Sequence, residues 1–268
     1  MITRGIFESV CPSAVMPDDT LFNRIQDYIA AAEDVVARIM GDQWQDYEDN
    51  AALALPAHRA ICLHAYLDAL PHLDIVLTET GLGVVSNQNV APASSDRVNR
   101  LRKQIQDSRD DAIDDLIDTL RGVEAWRSSI DARILFSSLV WNARLQLPIM
   151  GITEAHRTKM AELCPKIVAA EHALKHRISE ALHHELCVAQ QDNATSAKQN
   201  TVINKSLFFI GAHLAGDTAM ARFHMAKLVE YLEQHLTDFP AYESSTAHQA
   251  NTFTPYENKK DDTTYFFG

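Results

Sequence analysis

Apolar residues recur every three or four positions along most of this chain, the spacing of helices that bury one face. Leu21, Ile25, Tyr28, Ala32, Val35 and Ile39 form the first such stripe, with Pro17-Asp18-Asp19-Thr20 as its start and Gly41 as its stop. A second stretch, 52–70, carries Ile61, Leu63, Tyr66, Leu67 and Leu70, with Pro56 expected in its first turn, where a missing N–H costs least. Ser94-Ser95-Asp96 offers N-cap oxygens to a long helix reaching about Leu120, with Val98, Leu101, Ile105, Ala112, Leu116 and Leu120 on one side. A loop at 122–129 precedes a helix near 131–145, ended by Pro148 and Gly151. The longest helix is expected over 153–190, striped by Met160, Leu163, Ile167, Leu174, Ile178, Leu182 and Leu186, and kinked or split at Pro165. The last helical region, 205–236, turns Leu214, Met220, Phe223, Leu228 and Leu232 inward.

The period changes at 74–93 (DIVLTETGLGVVSNQNVAPA), where β-branched residues flank Gly81 and Gly83. Two short strands around a glycine turn, a β-hairpin at about 74–90, is the natural reading. From Glu243 onward the chain is polar and aperiodic, predicting an extended tail over 243–268. The expected fold is mainly α: a bundle of about six helices with one hairpin, in a single domain over 1–242 that divides, if at all, into two helical halves around 74–130.

Composition narrows the function classes. At 268 residues, 46% hydrophobic and 22% charged, the chain can bury a real core without staples or metals. Thirty-six acids against 24 Lys and Arg give −12, which argues against duplex DNA as the main partner. Cys11, Cys62, Cys164 and Cys187 lie far apart with no CxxC pair, which points to a reducing compartment and excludes a cysteine zinc ribbon. The N-terminal residues lack a signal-peptide core, and the longest apolar run, 207–215, is interrupted by Gly211 and His213. No membrane contact is expected.

Candidate chemistry is sparse. His172 and His176 share a helix face at i, i+4 and could bind a metal together. At 100° per residue, however, His172, His176 and His183 fall opposite the leucine stripe and should face water. The sequence lacks HExxH, GxSxG and GxxxxGK[ST], and the G-x-G at Gly81 and Gly83 reads as turn geometry. No catalytic residue, metal or cofactor is assigned. Asp110-Asp111 and Asp114-Asp115 are expected on a solvated face. The helix carrying them has Arg97, Arg100, Arg102, Lys103 and Arg109 in its first half and six aspartates in its second, against its macrodipole. Either this is a solvated face, or its ends meet complementary neighbours in a head-to-tail ring. Trp44, Trp126, Trp141, Tyr66 and Phe136 read as core or interface anchors. Phe253, Tyr256, Tyr265, Phe266 and Phe267 sit in a segment too polar to fold alone, so they should dock on the chain's own body or on a neighbour.

The stretch from Leu70 to Leu101 carries a pattern of its own: Leu73, Asp74, Val76, Leu77, Thr78, Gly81, Gly83, Val84, Val85, Ser86, Asn87, Asn89, Ala91, Pro92, Ala93, Ser94, Arg97 and Val98. It resembles the signature of a family of proteins encoded in bacterial prophages, usually near capsid and tail genes; Leu82 stands where that pattern more often has an aromatic. Phe239-Pro240-Ala241-Tyr242 and the tail from Tyr256 to Gly268 are similar to that family's C-terminus. The resemblance implies a virion structural protein, a ring-forming head–tail connector or adaptor, found in the virion and in the host cytoplasm during assembly. Its implied partners are other copies of itself and the portal and tail proteins, without sequence-specific nucleic-acid binding. The expected contact residues are Gly81, Gly83, Val84, Val85, Asn87, Asn89, Arg97 and Arg100, with the five tail aromatics. Two rival readings stand beside it: a cytoplasmic helical metal protein or enzyme using His172 and His176, and an assembly factor absent from finished particles.

Overall fold

A computed structural model describes residues 2–14, 19–73, 75–78, 81–84 and 94–252. The chain is mainly helical. Its first half is built from α1 (Arg4–Val10), α2 (Asp19–Arg24), α3 (Gln26–Met40), α4 (Ala51–Leu73) and α5 (Ser95–Leu120), followed by the short α6 (Glu124–Arg127) and α7 (Ile130–Leu135). α3 buries Ile29, Ala32, Val36 and Met40, one position round from the predicted stripe, and stops at Gly41, whose φ of 57° a side chain would resist. α4 is buried on several sides, through Leu53, Ala57, Ala60, Ile61, Cys62, Ala65, Tyr66 and Ala69. The alanines let α3 and α5 approach it closely. Pro56 and Pro71 both lie inside α4, Pro56 beyond the first turn where it was expected.

α4 and α5 run antiparallel. Arg59 near the start of α4 faces Asp115 near the end of α5 at 3.7 Å, and Leu67, Asp68, Pro71 and His72 line a cleft with Arg102 and Gln106. Between these helices, β1 (Ile75–Thr78) and β2 (Gly81–Val84) pair antiparallel, with Ile75 opposite Val84 and Thr78 opposite Gly81. Residues 74, 79–80 and 85–90 of the expected hairpin lie outside the described residues.

The second half holds α8 (Ala143–Gln146), α9 (Arg157–Ile178), α10 (Glu180–Gln191), α11 (Ala197–Leu214), α12 (Thr218–Gln234), α13 (Pro240–Glu243) and α14 (Thr246–Thr252). Two apolar clusters result. The first gathers the helices up to α7 with Trp141; the second begins at Leu139 and Val140 and takes in everything to Ala247. Among the described residues no helix is long and apolar enough to cross a membrane.

Several expectations are corrected. Fourteen α-helical segments replace about six among the described residues, because caps and turns cut the periodic stretches. The stretch expected over 153–190 is two helices. It breaks at Ser179 and not at Pro165, which sits inside α9. Ser179 adopts φ 79°, accepts from Leu182 N to start α10, and donates to Ala241 O at 3.1 Å. The region 205–236 is likewise divided at Gly216 (φ 72°), leaving Met220 and Phe223 exposed while Ala221 and Met225 turn inward. The helix expected over 131–145 shrinks to α7 and α8 around an irregular buried stretch. The tail expected to be extended from Glu243 is helical at Thr246–Thr252, where Asn251 bonds Arg177 O and Tyr242 Oη; the remainder, with all five tail aromatics, lies outside the described residues.

Gly211 shows packing overriding helix propensity. A Cβ there would stand 2.8 Å from the Cα and carbonyl carbon of Met150, and closer still to its oxygen. Propensity alone predicts that Gly211→Ala stabilises α11 by about 1 kcal/mol. The backbone collision predicts the opposite sign, a loss of about 1–3 kcal/mol, read as a lower urea midpoint.

Candidate functional site

Three carboxylates are buried where the two clusters meet: Asp110 and Asp114 at 1% exposure and Glu171 at 4%. Burial of an ionised acid is tolerated only with partners, and each has them. Asp110 accepts from Arg109 at 2.6 Å and from the Thr158 N–H at 2.7 Å, and Arg109 also donates to Thr158 Oγ1. Asp114 pairs with Arg157 and accepts from the Arg144 N–H at 3.1 Å. Burial raises the Asp114 pKa, with Arg157 pulling the other way. Glu171 accepts from Ser138 Oγ at 2.9 Å and the Leu139 N–H at 2.7 Å.

One of them, Glu171, helps to satisfy a stretch of backbone that has no regular structure. Residues 137–142 are largely buried, yet form neither helix nor strand, so their N–H and C=O groups need other partners. Gln146 Oε1 accepts from Trp141 N and Asn142 N at 2.7 and 2.9 Å, while its Nε2 donates to Leu139 O. Arg157 donates to Trp141 O at 3.2 Å. The stretch is tied to α5 by Asp114 through Arg157, and to α9 by Glu171.

Beside this network lies a cleft of about 510 Å³ between α5, α7 and α9. Its walls are mainly apolar, with Ile134 and Val168 exposed at 66% and 58%, and Arg109, Asp110, Arg157 and His64 converge in it. Burial lowers the His64 pKa, and its Nδ1 is buried without a hydrogen-bond partner. An apolar pocket with a few convergent polar groups suits a ligand or partner side chain. Arg109 and Arg157 are already committed to Asp110 and Asp114.

A second grouping joins Cys187, His183 and Glu171, with Sγ 3.7 Å from His183 Nδ1 and His183 Nε2 3.6 Å from Glu171 Oε1. The order resembles a thiol–imidazole–carboxylate relay. Its electrostatics are wrong for one, since burial pushes the Cys187 thiol up to about 12 and keeps it protonated at neutral pH. Glu171 is occupied by Ser138 and Leu139. Among the described residues no group of three or more His, Cys, Asp or Glu is placed to hold a metal ion.

The structure places the predicted site residues unevenly. Gly81, Gly83 and Val84 lie in β2; Val85, Asn87, Asn89, Phe253, Tyr256, Tyr265, Phe266 and Phe267 fall outside the described residues. Arg97 and Arg100 are exposed at the start of α5. His172 and His176 are exposed with rings 4.6 Å apart, whereas His183, expected beside them in water, is 2% exposed. The break at Ser179 resets the helical phase, so counting 100° per residue across it fails. The solvated face expected for Asp110 and Asp114 is corrected too, for another reason: both are buried on the uninterrupted α5 against partners from α8 and α9. Their alternation with Ile113, Leu116 and Ile117 was the available signal, because acids between core positions must turn inward.

Removing one partner of a buried pair strands the other. Asp114→Ala is expected to cost about 3–5 kcal/mol in urea unfolding, and Asp107→Ala, on the same helix, within about 0.5 kcal/mol. Of the four free cysteines only Cys164 is exposed, and burial raises the thiols of Cys11, Cys62 and Cys187. One thiol per chain should therefore react with Ellman's reagent in buffer, and four in denaturant.

No curated protein and no solved structure matches the chain. A profile described as a family of unknown function (DUF6712) matches residues 18–134 and 216–252, which takes in α2 to α6 and most of α7, β1 and β2, and α12 to α14. These segments make up more than half of the 268 residues, and the chain belongs to that family.

Proposed function

We propose that the chain is a structural, non-catalytic subunit of a phage or prophage particle, forming a ring that serves as a head–tail connector. The observation that supports this reading is the 70–101 stretch, which resembles the prophage-encoded signature at the positions named above and departs from it at Leu82. That stretch links α4 to α5, two helices anchored in the first apolar cluster. A contact made through Gly81, Gly83, Val84, Val85, Asn87 and Asn89 would thus be held on a rigid base, with Arg97 and Arg100 beside it. The tail aromatics Phe253, Tyr256, Tyr265, Phe266 and Phe267 are the second contact, gripping a neighbouring copy.

The charge balance suits the role. A ring through which genomic DNA passes must not hold phosphate tightly, and a subunit of net charge −12 repels it. The partners are other copies of the chain, the portal on one side and tail proteins on the other, with no sequence-specific nucleic-acid contact and no membrane. The site of action is the virion, after assembly in the bacterial cytoplasm.

The test is deletion of the gene from an inducible prophage that encodes this chain, with particles purified on a density gradient. The expected result is DNA-filled heads without tails, and the chain present in wild-type particles by peptide mass spectrometry. Tailed, infectious particles from the deletion strain would overturn the reading. A chain required for assembly but missing from finished particles would replace the connector with an assembly factor.

A further inference from the structure

The first three turns of α5 present Arg97, Arg100, Arg102 and Lys103 to solvent; Arg100 Nε donates to Asp96 O, and among the described residues none of the four enters an ion pair. Cations at a helix N-terminus oppose its macrodipole. They are therefore misplaced for the helix that carries them and well placed for an anionic neighbour. Arg102 turns towards a cleft that it lines together with Asp68, so the patch is Arg97, Arg100 and Lys103 against Asp96, still net positive.

An anionic counterpart lies in the same molecule. Between α3 and α4 the chain passes through two short 3-10 turns, Gly41–Trp44 and Tyr47–Asp49, with Asp42, Asp46, Glu48 and Asp49 exposed. Asp42, Asp46 and Asp49 enter no ion pair among the described residues, while Glu48 accepts from Tyr47 Oη. The segment is held rigidly: Trp44 stacks on Tyr47 at 4.7 Å, and nearby Trp126 Nε1 donates to Ile39 O. Glu124 on α6 adds a further exposed acid, and Arg38 in the last turn of α3 is the exposed cation nearest in sequence.

The two faces cannot meet within one copy. α5 runs antiparallel to α4, so its start lies at the far end of α4 from Ala51, where the acidic segment joins. Twenty residues of helix, about 30 Å at 1.5 Å per residue, separate Arg100 from the end of α5. We propose that the cationic face of α5 receives the acidic segment 42–49 of a second copy of this chain, and that the contact repeats head to tail. Unlike faces at opposite ends generate a ring when the rotation between copies closes. This inference rests on the ring reading above and names the surfaces that would make the ring.

The test uses the purified full chain in native mass spectrometry and sedimentation. Wild type is expected to form a closed oligomer larger than a dimer. It should dissociate as salt rises from about 0.1 M to about 1 M, where the screening length falls from about 10 to about 3 Å. A variant carrying R97E, R100E, R102E and K103E has two acidic ends, and one carrying D42K, D46K and D49K has two basic ends. Each alone should be monomeric with wild-type helicity, since the substituted positions are exposed. Their equimolar mixture should recover the oligomer, because each supplies the face the other lacks. Oligomers in either variant alone, an unrecovered mixture, or a wild type that stays monomeric would overturn the proposal. So would a dimer as the largest species, or wild-type monomers that bind duplex DNA through these cations. A deletion strain making tailed particles strikes the connector reading alone and leaves this contact standing on the solution data.

Discussion

The fold depends on two aspartates spaced one turn apart on α5. Asp110 and Asp114 are buried, and each reaches out of the first apolar cluster to hold part of the second: Thr158 N–H for one, Arg157 and the Arg144 N–H for the other. Hydrophobic contact has no direction, so two apolar surfaces alone would slide against each other. Charge-assisted hydrogen bonds at fixed positions set the angle and register between them. The desolvation of these acids is offset because the partners outside α5, Thr158, Arg157 and Arg144, are each fixed at a helix start.

That stretch explains why the interior beside α8 and α9 is polar where an ordinary bundle would carry leucine. The chain crosses from one cluster to the other through Ser138 to Asn142 without forming an element, and a buried crossing leaves its amides in need of acceptors. Glu171, Gln146 and Ser138 supply them from the sides. The polar interior is therefore the cost of passing irregular backbone through a dry region, and the cleft beside it is where the packing stops.

Most helix cores were legible from period alone, because Leu116, Leu174, Leu182 and Leu228 mark buried faces whatever lies around them. Ends were harder. Gly41 declares itself as a stop through its chemistry, whereas Ser179 does not: a serine at positive φ is chosen by tertiary contacts with Ala241 O and the first turn of α10. Helical phase does not carry across that break, which is why His183 turns inward while His172 and His176 face water. Pro165 is the converse case, a strong local signal absorbed by a long helix. For the buried acids the neighbouring Ile113 and Ile117 mark the inward face, but the partner that makes burial of charge tolerable, Arg157, lies 43 positions away and is not legible locally. Of the candidate site, the cations of α5 could be located from sequence; the cleft formed by α5, α7 and α9 could not.

α4 and α5 end and begin at the same pole, and their pairing is fixed along their length by contacts that owe nothing to the segment joining them. Closing a longer loop between two fixed anchors costs little, roughly 0.6 kcal/mol for each doubling of length. The connection can thus lengthen, shorten or exchange its residues while the helical body keeps its register. A protein built this way can change what it meets at that pole without renegotiating how it folds.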